Sequence, residues 1–226
     1  MFPNIDHIFL FEPLPEYYQY LETTFCDDAR ITVFNYAIAG SCGETNFYVS
    51  NNDAASSSLL QFGKHTDVFP SVYSVGTIRV MSKTLDAVIT DHQLPGPDML
   101  FIDAQGAEFQ IIASLSECIK RELSVIYTEV STEELYIGAR VLDDISKLLA
   151  PEIVFAGFAP LNDHTPSHGN AVFIQSCRLD SFVEASTRYI VLVPKNGNTV
   201  LASMWRIILQ VWSALKIKLH HLSFLE

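Results

Sequence analysis

The sequence predicts an α/β fold built on a Rossmann-like, mainly parallel sheet, and three observations carry that expectation. Met99–Ile102 is a short, wholly apolar run between Pro97 and an acidic, Gly-containing turn, the pattern of a strand buried on both faces of a parallel sheet. Ile8–Phe11 and Leu123–Val130 repeat the pattern, and carboxylates, Glu12 and Glu129, mark their ends. Segments of helical period separate such runs: in Ala107–Leu115 the apolar Phe109, Ile112 and Leu115 recur at helical spacing. With 226 residues, 49% of them hydrophobic, the chain can bury one large core, so a single α/β domain is expected.

Taken in order, Ile8–Phe11 is a strand stopped by Glu12-Pro13, and Pro15 at the head of Glu16–Phe25 suits a helix start. Ile31–Ala39 reads as the next strand, its small Ala37 and Ala39 leaving room for a flat ring beside the backbone. Ser41-Cys42-Gly43 turns the chain into Thr45–Val49, an alternating run like an added hairpin strand. The polar Asn51–Ser58 is a loop. Thr77–Val80 is a short strand and Thr84–Thr90 a short helix, leading through Pro95 and Pro97 into the central run. Gly106 lets the chain turn into a helix over 107–119, and the strand at 123–130 follows. Val141–Leu149 is an amphipathic helix, then Ile153–Phe158 and Asn170–Gln175 are strands joined by a loop holding Asp163, His164 and His168. Tyr189–Val193 is strand-like, Asn196-Gly197 centres a turn, and Val200–Leu219 is strongly amphipathic.

In open α/β sheets ligands sit outside the carboxyl ends of the strands, where Glu12, Asp103, Gln105, Glu108 and Glu129 are expected. Such acids also favour helix starts and cap turns, so the residues alone leave both roles open. His168 is either a surface-loop side chain or a group that takes a proton near neutral pH. The net charge of −12 argues against a nucleic-acid partner, which needs clustered Lys and Arg. Cys26, Cys42, Cys118 and Cys177 are widely spaced, without zinc-ligand spacing, and read as reduced core thiols; no metal is expected. No secretory signal opens the sequence, so a reducing, cytoplasmic location is expected.

Pro97–Phe109 (PDMLFIDAQGAEF) resembles the K-I-D-x-E-G-x-E signature of the FkbM-type S-adenosylmethionine-dependent methyltransferases. FLFEP at 9–13, NYAIA at 35–39 with Gly43, SSSL at 56–59 and TLD at 84–86 stand in that family's order. Phe101 replaces the usual basic residue and Gln105 the usual Glu, which removes a charge where the family carries one. The resemblance implies a class I methyltransferase sheet, an enzyme, and S-adenosylmethionine as the cofactor donating a methyl to a hydroxyl of a sugar or secondary metabolite. It assigns Glu12 to ribose, Ala37, Ile38, Ser57 and Asp103 to the cofactor, and Asp103, Gln105 and Glu108 to the surroundings of the reacting methyl. Glu129 and His168 are candidate bases that no family motif fixes.

The Gly-rich loop of such sheets follows the first strand and precedes the ribose acid by about 20 residues. The residues before Glu12 contain no glycine, so first strand and loop are expected to be missing from an amino-terminally incomplete domain over 1–186. A strand and helix extension occupies 187–226. On that reading S-adenosylmethionine binds weakly or not at all. One alternative places Tyr189–Val193 and its Asn-Gly turn in the gap; another makes the chain a non-catalytic, methyltransferase-like interaction module. The wide apolar face of Leu201–Leu219 implies packing on its own domain, on a second copy, or against a membrane surface.

Overall fold

The computed structural model describes residues 5–161 and 165–178, and the backbone of Tyr189–Val193. The strands are β1 (His7–Phe11), β2 (Ile31–Phe34), β3 (Ala37–Ile38), β4 (Gly43–Ser50), β5 (Ser74–Lys83), β6 (Met99–Ile102), β7 (Val125–Ser131), β8 (Ile153–Pro160), β9 (His168–Gln175) and β10 (Tyr189–Val193). The helices are α1 (Pro15–Phe25), α2 (His65–Val68), α3 (Leu85–His92), α4 (Glu108–Ala113), α5 (Glu117–Glu122) and α6 (Leu142–Leu149).

Seven strands form one sheet in the order β2-β1-β10-β6-β7-β9-β8. The first five run parallel; β9 is antiparallel to both β7 and β8. Alternation along each parallel strand feeds two apolar layers. Phe9, Phe11, Leu100, Ile102 and Ile126 pack with Leu85, Val88, Ile111, Ile112, Ile119 and Ile145 of α3 to α6. Ile8, Leu10, Met99, Phe101, Val125 and Tyr127 form the opposite layer with Leu21 of α1. Each such side chain contributes about 2 kcal/mol on burial, which is why Ile8–Phe11 and Met99–Ile102 are apolar at every position.

β10 lies in the middle of this sheet, in the position that the sequence reading leaves empty. Its register is Leu10 opposite Leu192 on one side and Val193 opposite Ile102 on the other. The facing edges of β1 and β6 thereby gain hydrogen-bond partners, without which two rows of buried backbone groups would be unsatisfied. The order along the sheet therefore departs from the order along the chain: its central strand is the last described strand in sequence. Hydrogen exchange of the full chain should protect the amides of 189–193 as strongly as those of Leu100 and Ile102. Exchange at the rate of an unstructured peptide would remove β10 from the sheet.

Three features differ from the sequence expectations. The strand expected over Ile31–Ala39 is broken, β2 joining the main sheet and β3 a second sheet of order β3-β5-β4. Asn35 causes the break, its Nδ2 donating to the carbonyls of Glu12 (2.8 Å) and Pro13 (3.2 Å) and so turning the chain out of the sheet. The helix expected over 107–119 is two helices, because Ser116 starts α5 anew with its Oγ accepting from the Ile119 N–H at 3.4 Å. The four cysteines are free as expected but exposed, not core residues. Asp163, His164, Asn196-Gly197 and Leu201–Leu219 lie outside the described residues. Among those described, no helix is long and apolar enough to cross a membrane.

Candidate active site

Glu12 follows β1 and Asp103 follows β6, the two strands that flank β10, one on each side of it. Two strand spacings separate their backbones, about 10 Å. Glu12 is 1% exposed. Its Oε1 accepts from the Leu14 N–H at 2.8 Å, while Oε2 is buried with no hydrogen-bond partner. Burial pushes its pKa up to about 8, against the smaller opposing effect of the Leu14 N–H. A buried carboxylate with one oxygen unpaired is poorly satisfied by the protein alone.

The turn after β6 is held by its own backbone geometry. Gln105 (φ 51°) and Gly106 (φ 99°) are both left-handed. Gly106 cannot carry a side chain, since a Cβ there would stand 2.9 Å from the Tyr136 ring. The Glu108 carboxylate accepts from the N–H groups of Ala104 (2.9 Å) and Gly106 (3.1 Å). Burial, opposed by backbone N–H bonds, raises the Glu108 pKa to about 7, and the nearby Glu129 carboxylate adds to the rise. Glu108 therefore ties together the turn that follows Asp103, both bonds falling on its Oε1.

Gln105 is the hub of a buried polar cluster. The two hydrogens of its one amide nitrogen serve two carboxylates: Nε2 donates to Asp103 Oδ1 at 2.7 Å and to Glu129 Oε2. Its Oε1 accepts from the Tyr136 hydroxyl at 2.8 Å, and its backbone carbonyl accepts from Ser58 Oγ at 2.7 Å. The amide orientation is thus fixed, because flipping it would turn a carbonyl oxygen toward two carboxylates. His168 Nε2 lies 3.3 Å from Glu129 Oε1. Burial is the main cause that raises the Tyr136 pKa, with Glu129, Glu108 and Asp103 adding to it. Phe101 stacks on Tyr127, ring centroids 5.1 Å apart, on the sheet face that leads to Asp103 and Glu129.

The segment after β4 closes over this cluster. Ser58 pairs with Tyr48 through two backbone bonds, Ser57 Oγ accepts from the Ser50 N–H at 3.0 Å, and the Gly63 and His65 N–H groups donate to the Leu135 carbonyl. Phe62, His65, Phe69 and Tyr136 pack ring against ring above it, and Phe69 stands edge-on to His168 at 6.2 Å.

Of the residues singled out from sequence, Asp103, Gln105 and Glu129 come together through hydrogen bonds and His168 stands 3.3 Å from Glu129, with Glu12 across β10 from them. Ala37 and Ile38 are buried in packing layers, and Ser57 is engaged within its own loop. Sequence reasoning missed Tyr136, which sits in a loop, and His65, which opens the single-turn helix α2; neither segment is long enough to show periodicity. Among the described residues, no group of three or more His, Cys, Asp or Glu side chains is arranged to hold a metal ion.

The chain is similar to known methyltransferases. The 2-O-methyltransferase NoeI of Sinorhizobium fredii is 32% identical over 148 residues, covering 63% of this chain and 60% of NoeI. The chain thus spans less than two thirds of that relative. A crystal structure of methyltransferase FkbM from Methylobacillus flagellatus superposes with a TM-score of 0.45 at 12% identity, covering 75% of this chain and 36% of that one. Residues 4–158, more than half of the chain, match the Methyltransferase FkbM domain, so the chain belongs to that family of methyltransferases.

Proposed function

We propose that the chain transfers a methyl group from S-adenosylmethionine to a hydroxyl of a sugar-like acceptor. The observation that carries this reading is Glu12: a buried carboxylate at the carboxyl edge of the sheet, beside its central strand, with Oε2 unpaired. A ribose hydroxyl of the donor would supply the missing hydrogen bond, the role of an acid at this place in nucleotide-binding sheets. The family and the name of the 2-O-methyltransferase relative support a hydroxyl acceptor. The donor is a substrate whose sulfonium already activates the methyl, so the protein chiefly aligns acceptor with donor and provides for the acceptor's proton. Asp103 is half-buried, is held by the Gln105 amide, and follows the carboxyl end of β6, at the edge where the donor would lie. The expectation of weak binding rested on a missing central strand and Gly-rich loop; β10 fills the strand position, and the residues that follow it lie outside those described.

Asp103→Asn keeps the shape and removes the charge. Isotope-labelled S-adenosylmethionine, incubated with the full chain and a panel of methyl glycosides, should label an acceptor. The Asn variant should melt within a few degrees of the parent yet transfer at least a hundredfold more slowly. Transfer within a few-fold of the parent would remove Asp103 from the site.

A further inference from the structure

Turn building explains Glu108 but leaves the innermost part of the cluster without a purpose. Glu129 and His168 are both buried, at 3% and 8% exposed. His168 opens β9 opposite Ser131, at the carboxyl end of β7, beside the strand that ends at Asp103. It therefore stands on the ligand edge. With Nε2 turned to Glu129 Oε1 at 3.3 Å, the ring proton belongs on Nε2, and Nδ1 carries a lone pair. That nitrogen is buried and has no hydrogen-bond partner. A buried acceptor left unsatisfied costs about 1–3 kcal/mol, a cost that an arriving hydroxyl would remove.

We propose that His168 is the proton acceptor of the methyl transfer, and that Glu129 is the positioning residue that holds its imidazole. The proposal rests on the hydroxyl-methylation reading given above. The acceptor hydroxyl donates to His168 Nδ1. A lone pair of its oxygen forms the new C–O bond to the methyl carbon as the C–S bond breaks, the electron pair staying on sulfur, so the sulfonium becomes a neutral thioether. The hydroxyl proton ends on Nδ1, and the imidazolium later releases it to water. Glu129, facing the Nε2–H, stabilises the positive charge that develops on the ring and fixes the tautomer in advance. Gln105 joins this pair to Asp103, so Asp103 and the base are set by one amide. The Phe69 ring stands edge-on to His168 at 6.2 Å, and catalytic hydrogen bonds are often completed only in the complex with substrate.

The test uses the full chain. His168→Gln keeps an N–H in reach of Glu129 but has no basic nitrogen. With the methyl glycoside panel and labelled S-adenosylmethionine, this variant should lose at least a hundredfold in kcat, as expected for a missing general base. Its Tm and its Kd for the donor should stay near the parent's. Glu129→Gln should lower kcat with KM unchanged, because the carboxylate charge matters only once the ring is protonated. Long-range proton–nitrogen NMR of the parent should show His168 as the Nε2–H tautomer with Nδ1 bare, a measurement that needs neither acceptor nor variant. An Nδ1–H tautomer, or His168→Gln turnover within threefold of the parent, would overturn the proposal while leaving the methyltransferase reading in place. A parent that binds the donor but labels no glycoside would instead overturn the hydroxyl reading on which the proposal rests.

Discussion

Gln105→Glu should lower stability at pH 8 by about 4 kcal/mol. The Gln105 amide nitrogen supplies hydrogens to two carboxylates, Asp103 and Glu129. A glutamate would remove both donors and bring a further carboxylate to a site where Tyr136 alone offers it a hydroxyl. Hydrogen bonds to charged groups contribute about 1.5–3 kcal/mol each, and like charges in one site cannot all ionise. For a domain of this size the loss corresponds to a fall in Tm of roughly 10 °C. The variant's carboxylates would titrate above their usual range. The loss should therefore shrink as pH falls toward 5 and the cluster takes up a proton, and thermal melts across pH 5 to 8 read both effects. The signature that the segment resembles has a basic residue at 101 with Glu at 105, and Phe101 lies on the face of β6 that leads to Asp103. This chain has lost the cation and the carboxylate together. Phe101→Lys combined with Gln105→Glu should accordingly recover at least 1 kcal/mol beyond the sum of the single changes. Unchanged melting of Gln105→Glu at pH 8 would contradict the cluster as described.

Glu12→Gln should stabilise the protein at pH 8. Folding raises the Glu12 pKa from 4.5 to about 8, chiefly by burial. Between those values the unfolded chain is ionised while the folded chain holds a proton, so stability falls as pH rises through this window and stays low above it. One pKa unit is 1.36 kcal/mol, so the full effect is on the order of 4 kcal/mol. A glutamine stays neutral and can still accept from the Leu14 N–H. Parent and variant should melt together near pH 4, and the variant should gain roughly 10 °C by pH 8. Equal melting at both pH values would show that Glu12 is not buried against its charge. Natural chains hold such costs where function needs the group, which links this stability defect to the ligand edge.

The architecture was legible where strands are buried on both faces. Met99–Ile102 and Ile8–Phe11 are apolar at every position, and the strand ending near Glu129 is apolar over Val125–Tyr127, because each face has its own layer. The break at Asn35 was not legible, since its cause is a hydrogen bond to the turn after another strand. β5 runs from Ser74 to Lys83, longer than the expected Thr77–Val80, because pairing with β4 extends it through exposed positions that burial never selected. Within the site, strand-end acids announced themselves by position. The role of Glu108 did not, because a carboxylate bonded to two turn N–H groups has the same sequence signature as one facing a ligand. His168 stood out only as a titratable side chain in a loop; its contact with Glu129 depends on antiparallel pairing of β7 with β9, which no local pattern encodes.

The central claim is that Glu12, beside the central strand, binds the donor's ribose. Calorimetric titration of the full chain with S-adenosylmethionine at pH 8, parent beside Glu12→Gln, tests it most directly. The parent should bind with a micromolar Kd. The variant, though more stable, should bind ten- to a hundredfold more weakly, about 1.5–3 kcal/mol for a hydrogen bond to a charged group. Parent binding that Glu12→Gln leaves unchanged would contradict the assignment, and no heat from the parent at millimolar donor would contradict the cofactor site altogether.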